Sequence, residues 1–340
     1  MQADLNSRIS GLIASAGRTG VVLSVTPCSV GGNNRTYRVA TSEGDFAAKQ
    51  YFRHEGDDRD RLNSEYLFLS HASKVVSGRA PAPVAMDRES GLALYEFIEG
   101  SAFASDEVTW DHVRQAAEFL VALNSPESRS KALNLPIASE ACFSIREHLD
   151  LIDARLTGLA NTGIASDEDR SARTLVDKIV IRWRELKAEV ISKSMAGGLD
   201  PVACLGAEQR CISPSDFGFH NALRQPDGRI RFLDFEYAGW DDPGKLTGDF
   251  FSQLAVPVPG DFFDDFVNLV MKPFSGSEEL GLRARLLRHP YRIKWCCIAL
   301  NVFLPVNLAR RKFANPHLDE AVLKRQQLVK ANSLFNALES

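Results

Sequence analysis

The feature that most constrains the fold of this chain is a short loop at residues 213–221, here called the hairpin loop, that leads into a β-hairpin. Gln-Pro-Asp-Gly at residues 225–228 is typical of a tight turn, because the proline fixes φ and the glycine tolerates a positive φ. The flanking runs 222–224 and 230–233 are short and apolar enough to pair as antiparallel strands. We therefore predict that the start of the first strand lies beside the end of the second.

Such a hairpin brings three polar side chains together. Asn221 precedes the first strand and Asp234 follows the second, so we expect them side by side, with Asp216 one turn of loop upstream. An amide and two carboxylates suit a Mg²⁺ site with a positioned base, which is the outline of a phosphoryl-transfer centre. The alternative is that these residues only cap a turn and end a strand, but their combined spacing favours the site.

The segment resembles the aminoglycoside phosphotransferase and choline kinase family of small-molecule kinases. The family motif is His-Gly-Asp, four residues, Asn, and then a hydrophobic-Asp-Phe/Trp-Glu run. This chain has Leu-Asp-Phe-Glu-Tyr-Ala-Gly at residues 233–239. The resemblance implies that Asp216 is the catalytic base that accepts the proton of the substrate hydroxyl. It also implies that Asn221 and Asp234 are the Mg²⁺ ligands.

Two departures from the family motif concern the support of the hairpin loop. Pro214 and Ser215 stand where the family has His and Gly. Pro214 favours an alternative function, that of a pseudokinase that binds nucleotide or a partner without phosphoryl transfer, whereas the retained base and metal ligands favour an active kinase. A protein kinase is a weaker interpretation, because no His-Arg-Asp loop precedes the Asp-Phe-Gly string at residues 216–218 and no Ala-Pro-Glu follows it.

The amino-terminal part of the chain is typical of strands joined by tight loops. Gly31 and Gly32 lie in the first loop, where backbone amides could approach phosphates closely, although a plain hairpin turn explains two glycines about as well. The predicted strands are residues 21–25, 36–40 and 46–52.

A single lysine in the third of these strands, Lys49, matches the family lysine that contacts the α and β phosphates of ATP. Such a lysine needs an acidic partner from the next helix. Glu65 lies beside the apolar stripe of the predicted helix 58–69 and benefits from a buried cation, so we predict a Lys49–Glu65 pair. The alternative is that both side chains face solvent.

Residues 92–100 resemble the last strand of the family's N-lobe and the hinge that follows it. Aligned on Gly100, the backbone groups of Glu96 and Ile98 fall where the family holds the edge of the adenine ring. Because the main chain makes these contacts, the residue types carry little information.

The remainder is predicted to be mainly helical from its amphipathic periodicity. The resemblance implies that helices before the hairpin loop form part of the acceptor site, although they could equally be scaffold helices that pack on the C-lobe. It also implies that Asp249 braces the loop, the alternative being a helix cap or a surface position. His220, inside the loop, is a candidate contact to substrate or phosphate. The predicted helices are residues 106–124, 144–159, 171–194, 261–272, 278–288, 291–313 and 317–338.

Together these features predict an α+β, protein-kinase-like fold with a small antiparallel-sheet N-lobe (residues 1–98) and a larger, mainly helical C-lobe (residues 99–340) that carries the catalytic hairpin. The predicted function is transfer of the γ-phosphoryl group of ATP, with Mg²⁺, to a hydroxyl of a small acceptor. Aminoglycosides, choline-like amino alcohols and sugars are all open as acceptors. A cationic acceptor would need carboxylates in its pocket, and the nearby acidic residues are Glu236, Asp241 and Asp242.

Composition indicates a soluble protein without a nucleic-acid or membrane partner. A net charge of −4 over 340 residues gives no reason to expect nucleic acid or anionic lipid. The six cysteines form no Cys-x-x-Cys pair, so we expect buried, reduced thiols. The longest apolar run, residues 295–309, is too short to span a bilayer, and no secretory signal is apparent. We therefore expect a cytoplasmic enzyme.

Overall fold

An antiparallel sheet of five strands forms the amino-terminal part of the protein. The strands are β1 (Val22–Pro27), β2 (Arg35–Thr41), β3 (Gly44–Gln50), β4 (Pro83–Asp87) and β5 (Leu92–Glu96). The fold is that of a computed structural model, which describes residues 2–28, 34–53 and 59–338. The order across the sheet is β1-β2-β3-β5-β4, so β3 lies at its centre.

The two faces of β3 contact different helices, α1 (Gln2–Ser15) and α2 (Arg61–Val75). Side chains alternate between the faces of a sheet along a strand. Ala48 packs in one hydrophobic cluster with Ile9 and Ile13 of α1. Lys49 points to the other face and donates a hydrogen bond to Glu65 of α2. The period of two in β3 thus determines which side of the sheet holds the lysine.

Shorter strands follow: β6 (Ser101–Ala102), β7 (Cys211–Ser213), β8 (Ala222–Arg224), β9 (Ile230–Phe232) and β10 (Gly239–Asp241). β8 and β9 form the predicted antiparallel hairpin, with Ala222 opposite Phe232. Gly228 in its turn has a φ of +83°, a conformation that favours glycine. β7 pairs with β10, so strand pairing holds the hairpin loop at both of its ends.

Helices make up most of the rest of the described chain. They are α3 (Trp110–Leu123), α4 (Pro126–Lys131), α5 (Ile145–Ala160), α6 (Asp167–Ala196), α7 (Pro243–Phe250), α8 (Phe263–Val270), α9 (Ser277–Leu300), α10 (Pro305–Ala314) and α11 (Glu320–Asn336). A small antiparallel sheet with a larger helical part confirms the predicted α+β class.

The predicted bounds of two carboxy-terminal helices were wrong. α9 continues through Pro290, whereas the chain breaks at residues 301–304, just before Pro305. A proline inside a helix removes a hydrogen bond, but α9 is buried on both sides of it: Ala284 packs in one hydrophobic cluster and Ile293 in another. Pro305 stands at the first position of α10, where the helix needs no backbone N–H.

The hydrophobic core runs without interruption from the sheet to the hairpin. Tyr51 and Tyr95 belong to the same buried cluster as Phe217 and Phe232. The boundary between residues 98 and 99 therefore stays a prediction. In the described part of the chain, no single helix is long and apolar enough to cross a membrane; α9 with its extension and α10 pass that test only as a pair bent by 74°.

Candidate active site

A cavity of about 670 Å³, here called the central cavity, contains the three polar side chains that the hairpin was predicted to bring together. One part of its lining, the hairpin wall, includes Asp216, Asn221 and Asp234. Another part, the helical wall, comes from α5, α9, α10 and α11. The antiparallel register that sets Ala222 opposite Phe232 explains why Asn221 and Asp234 reach the same space.

Lys49 connects the sheet, α2 and the hairpin. Its Nζ donates to Glu65 Oε2 at 2.6 Å and to Asp234 Oδ1 at 2.5 Å. Lys49 is 7% exposed and Glu65 is 3% exposed, so the alternative that they face solvent is wrong. Burial alone would lower the pKa of Lys49, but the carboxylates around it, first that of Asp234, raise it well above its usual range. Lys49 is therefore an ammonium ion next to the hairpin wall.

Glu65 is held by more than the lysine. Its Oε2 also accepts from the hydroxyl of Tyr51 at 2.6 Å, and its Oε1 accepts from the backbone N–H of Phe235 at 3.1 Å. A buried carboxylate with both oxygens hydrogen-bonded has a single favoured orientation. Because Phe235 directly follows Asp234, α2 fixes the lysine and the aspartate relative to each other.

Asp216 faces the central cavity with a side chain that is 35% exposed. His220 Nε2 lies 3.3 Å from Asp216 Oδ1, and the Nδ1 of the same ring contacts the side-chain amide of Gln253. Desolvation raises the pKa of the carboxyl group, but His220, Lys294 and Arg311 lower it to below its usual value. Asp216 is therefore a carboxylate near neutral pH and can accept a proton.

The backbone of the hairpin loop bends sharply at Ser215, where φ is +67°. This left-handed conformation favours glycine, the residue of the family motif at this position. Two hydrogen bonds hold the serine here: its N–H donates to Ser213 Oγ at 3.0 Å, and its Oγ accepts from Lys245 Nζ at 3.1 Å. Local contacts thus accommodate the departure from the motif, and the neighbouring Pro214 is buried.

Lys245, which supports this loop, was not identified from the sequence. It is 1% exposed and lies 2.6 Å from Asp241 and 3.5 Å from Asp249. Burial alone would lower the pKa of Lys245, but these two carboxylates raise it above its usual range. The spacing of four residues between aspartate, lysine and aspartate is the sequence signal that could have found it.

Asn221 and Asp234 each have an oxygen available for Mg²⁺. Asn221 Nδ2 donates to the carbonyl of Asp216 at 3.0 Å, which leaves its Oδ1 without a partner among the described residues. Asp234 Oδ2 likewise has no partner in the described part of the chain. No group of three or more His, Cys, Asp or Glu among the described residues could hold a metal ion. These two oxygens fit Mg²⁺, which commonly takes few protein ligands and completes its shell with phosphate oxygens and water.

The chain after β5 offers main-chain groups to a ligand. Neither the N–H nor the carbonyl of Ile98 hydrogen-bonds to another described residue, although Ile98 is only 8% exposed. The side chain of Glu96 accepts two hydrogen bonds, each 2.7 Å long, from Arg231 of β9. The backbone N–H of Glu96 is already bonded to the carbonyl of Ala82 at 2.8 Å. Arg231 therefore ties this segment to the hairpin, a contact that sequence reasoning missed.

The structure does not bring every predicted residue to the cavity. Gly31 and Gly32, predicted to approach the phosphates, lie outside the described residues. The carboxylates suggested for a cationic acceptor are each at most 2% exposed and paired within the fold: Glu236 lies 3.3 Å from Arg61, Asp241 pairs with Lys245, and Asp242 lies 2.6 Å from Arg283. They neutralise buried cations and do not line the cavity.

Asp249 reaches the hairpin loop through a side chain rather than directly. Its Oδ1 accepts from Lys294 Nζ at 3.0 Å and from Trp295 Nε1 at 2.7 Å, both on α9. It is connected to the loop through Lys245, which hydrogen-bonds to Ser215. The resemblance implied a closer brace of the loop than the structure provides.

A second ion pair that sequence reasoning missed joins Glu140 to Arg155 of α5. Arg155 Nη2 lies 2.5 Å from Glu140 Oε2, and both residues line the cavity. Desolvation raises the pKa of Glu140, but Arg155 and nearby cations lower it to about 2. Arg155, on the helical wall, is therefore already neutralised by a carboxylate that also lines the cavity.

Solved structures share this architecture. A choline/ethanolamine kinase family protein from Mesorhizobium loti is 17% identical, with 98% of this chain and 94% of that chain covered and a TM-score of 0.58. Choline kinase LicA from Streptococcus pneumoniae is 17% identical, with coverages of 97% and 98% and a TM-score of 0.55. The streptomycin–ATP–APH(2″)-IIa ternary complex is 14% identical, with coverages of 92% and 96% and a TM-score of 0.54. This likeness confirms the predicted protein-kinase-like fold.

The sequence itself gives the family. No curated protein matches the chain. A sequence model described as the phosphotransferase enzyme family matches residues 24–245, more than half of the chain, and this range includes both Lys49 and the hairpin. The chain belongs to the phosphotransferase enzyme family.

Proposed function

We propose that this chain is a small-molecule kinase that transfers the γ-phosphoryl group of ATP to a hydroxyl group of a small acceptor. The observation that carries the proposal is the convergence of Lys49, 2.5 Å from Asp234, with Asp216 on the same hairpin wall. Phosphoryl transfer in this fold needs a paired lysine, a metal-binding aspartate and a positioned base. The choline kinases and the ATP complex among the structural neighbours support the same reaction class.

The nucleotide would lie between the sheet and the hairpin. Lys49 would contact its phosphates, with Glu65 holding the ammonium group in place. The N–H and carbonyl of Ile98, which bond to no described residue, suit the edge of a purine ring, and Arg231 keeps this segment fixed through Glu96. Mg²⁺, when bound by Asn221 and Asp234, neutralises the charge of the phosphate oxygens.

Asp216 would orient the acceptor and take its proton. As the acceptor oxygen forms its bond to the γ-phosphorus, the bond from that phosphorus to the bridging oxygen of ADP breaks. The proton of the hydroxyl passes to Asp216, whose lowered pKa keeps it ionised before the reaction. His220, 3.3 Å away, holds the carboxylate toward the cavity. Positioning and charge neutralisation supply most of the rate in this class.

The test is transfer of labelled γ-phosphate from Mg·ATP into a small-metabolite extract, resolved by mass. We compare the wild type with Asp216→Asn and with a control, Asp227→Asn, which removes an exposed carboxylate from the hairpin turn. We expect a labelled product with the wild type and the control, and a loss of about a hundredfold or more for Asp216→Asn, because a positioned general base contributes roughly that much.

Two outcomes would contradict the proposal. Full product formation by Asp216→Asn would show that Asp216 is not the catalytic base. Absence of product with all three proteins, while Mg·ATP still raises the melting temperature, would favour the pseudokinase alternative. Nothing in the described residues favours that alternative, because local contacts hold Ser215 and Pro214 is buried.

A further inference from the structure

The helical wall of the central cavity carries an excess of positive charge. Among the described residues, the cationic side chains that line the cavity are Arg59, Arg155, Lys294, Arg310, Arg311 and Lys330, and the carboxylates are Glu140, Asp216, Asp234 and Asp249. Of these carboxylates, Glu140 is paired with Arg155, Asp249 with Lys294, and Asp234 with Lys49. An acceptor that enters the cavity therefore meets few free carboxylates.

Two consecutive arginines of α10 are partly buried cations of this wall that pair with no described carboxylate, whereas Lys330, also unpaired among the described residues, is exposed. Arg311 makes no side-chain hydrogen bond or ion pair with any described residue, although it is only partly exposed. Arg310 contacts only neutral groups among the described residues, the hydroxyl of Tyr237 at 3.4 Å and the side-chain carbonyl of Asn307. Desolvation, followed by the charge of Arg310, lowers the pKa of Arg311. Two adjacent guanidinium groups that form no ion pair with a described carboxylate are costly unless a ligand supplies the negative charge.

The arginines line the same cavity as the proposed base. Arg311 and Asp216 both line the central cavity, and the charge of each affects the pKa of the other. Lys49 and Ile98, which are proposed to contact the nucleotide, do not line the cavity, whereas the proposed Mg²⁺ ligands Asn221 and Asp234 do. In the proposed site, Lys49 and Mg²⁺ already neutralise the phosphates that reach this space. The negative charge that the arginines accommodate therefore fits the acceptor better than ATP.

The position of α10 is fixed by its contacts to the sheet. The Arg35 guanidinium lies 4.4 Å from the ring centre of Phe313 and donates to the carbonyl of Phe313 at 3.2 Å. The ring of Phe52 packs against Phe313 at 5.2 Å. Since Phe313 is held in this way two residues after Arg311, the arginines are presented to the cavity by a helix that is already in place.

We propose that the acceptor is an anionic hydroxyl compound, such as a hydroxy acid or a phosphorylated polyol, whose carboxylate or phosphate binds Arg310 and Arg311 while its hydroxyl faces Asp216. The planar guanidinium group pairs with two oxygens of a carboxylate or phosphate at once. This inference rests on the proposed kinase function and narrows its acceptor. It disfavours choline-like and aminoglycoside acceptors, whose positive charge would be repelled by the same arginines.

The test separates a metabolite extract by ion exchange into anionic, neutral and cationic pools, with nucleotides removed by charcoal. Each pool is incubated with γ-labelled Mg·ATP and the full-length protein. We expect labelled product from the anionic pool, and Arg311→Gln should lower its formation at limiting pool concentration by about tenfold or more, since hydrogen bonds to charged groups contribute that much. The apparent KM for Mg·ATP should stay within about twofold, because the arginine contacts the acceptor and not the nucleotide.

Lys312→Gln is the matched control. It removes the same charge from the next residue of α10, which is exposed, pairs with Glu320 at 2.9 Å and does not line the cavity. It should leave product formation unchanged. A product that arises from the neutral or cationic pool would overturn the inference and leave the kinase proposal standing.

If no pool gives a product, that result counts against the kinase proposal. A second measurement then tests the anionic acceptor without turnover. Phenylglyoxal modifies accessible arginines, and peptide mass spectrometry reports its reaction at Arg310 and Arg311. Protection by the anionic pool, and not by the other pools or by Mg·ATP alone, would support the inference without turnover. Protection by Mg·ATP alone would assign the arginines to nucleotide phosphates. Absence of protection by any pool would leave the arginines without an anionic acceptor. Either result would overturn the inference of an anionic acceptor.

Discussion

The hairpin wall and the helical wall of the central cavity hold their charges in opposite ways. On the hairpin wall, Asp234 is 2.5 Å from Lys49 and Asp216 is 3.3 Å from His220, so each carboxylate has a partner from the protein. On the helical wall, Arg310 and Arg311 have no carboxylate partner among the described residues. The carboxylates of the hairpin wall are thus paired within the protein, whereas these two arginines of the helical wall are not.

This difference suggests how one fold can serve several acceptors. The groups of the hairpin wall are set by a strand register and by one lysine–glutamate pair, both of which the reaction needs. The helical wall is assembled from helices whose residues can change without disturbing that register. We infer that the reaction is encoded in the hairpin and the choice of acceptor in α5, α9 and α10.

The largest expected effect is the loss of phosphoryl transfer in Asp234→Asn, a substitution on the hairpin wall alone. Asparagine tolerates the φ of +63° at this position, where alanine would add backbone strain. We expect transfer to every acceptor to fall by about a thousandfold, because a metal ligand stabilises several kcal/mol of developing charge. The measurement is initial rate over a range of Mg²⁺ concentrations.

Folding should be unaffected by this substitution, since Lys49 keeps Glu65 at 2.6 Å. A melting temperature close to that of the wild type is the control. Arg311→Gln is the counterpart on the helical wall and should change the dependence on acceptor alone. Transfer by Asp234→Asn within tenfold of the wild-type rate at saturating Mg²⁺ would show that the hairpin wall does not carry the metal.

A smaller effect is expected from Glu140→Gln, which leaves Arg155 of the helical wall without its main partner. Removing one member of a largely buried ion pair costs about 3 kcal/mol of unfolding free energy. The folded pKa of Glu140, about 2, is depressed below its unfolded value of roughly 4.3. The stabilisation is therefore fully present above the unfolded pKa and decreases as pH falls toward the folded one.

The measurement is denaturant unfolding of both proteins at several pH values. The difference between wild type and Glu140→Gln should be constant near neutrality and should shrink progressively below about pH 5. Asp227→Asn, in the exposed hairpin turn, should show little difference from the wild type at neutral pH. A difference for Glu140→Gln that is independent of pH would mean that the carboxylate contributes packing rather than charge.

The sequence predicted the hairpin wall well because its signals are local. Asn221 and Asp234 are positioned by a turn that can be read from four residues, and Lys49 by a period of two in β3. The prediction of the partner of Lys49 also required the apolar stripe of α2, beside which Glu65 lies. Glu65 does form that pair. The roles assigned to these residues remain proposals.

The helical wall could not be predicted in the same way because it depends on contacts between distant segments. The expected helix 291–313 would have carried Arg310 and Arg311 along the axis of α9, but the chain breaks at residues 301–304 and α10 begins a new direction. Arg231 and Glu96, which are 135 positions apart, gave no local signal either. Long-range packing determines where such residues lie, and it cannot be predicted from the periodicity of the sequence.

The smallest expected effect tests the loop between the two walls. Ser215→Gly removes a side chain that must adopt a φ of +67° and should relieve about 1 kcal/mol of backbone strain, partly offset by the lost hydrogen bond from Lys245. Ser215→Ala loses the same hydrogen bond and keeps the strain. We therefore expect the glycine variant to unfold at a higher denaturant concentration than the alanine variant, with both retaining phosphoryl transfer. If alanine proves the more stable replacement, the left-handed conformation at Ser215 contributes no strain, and the hairpin loop follows a different backbone path from the one described.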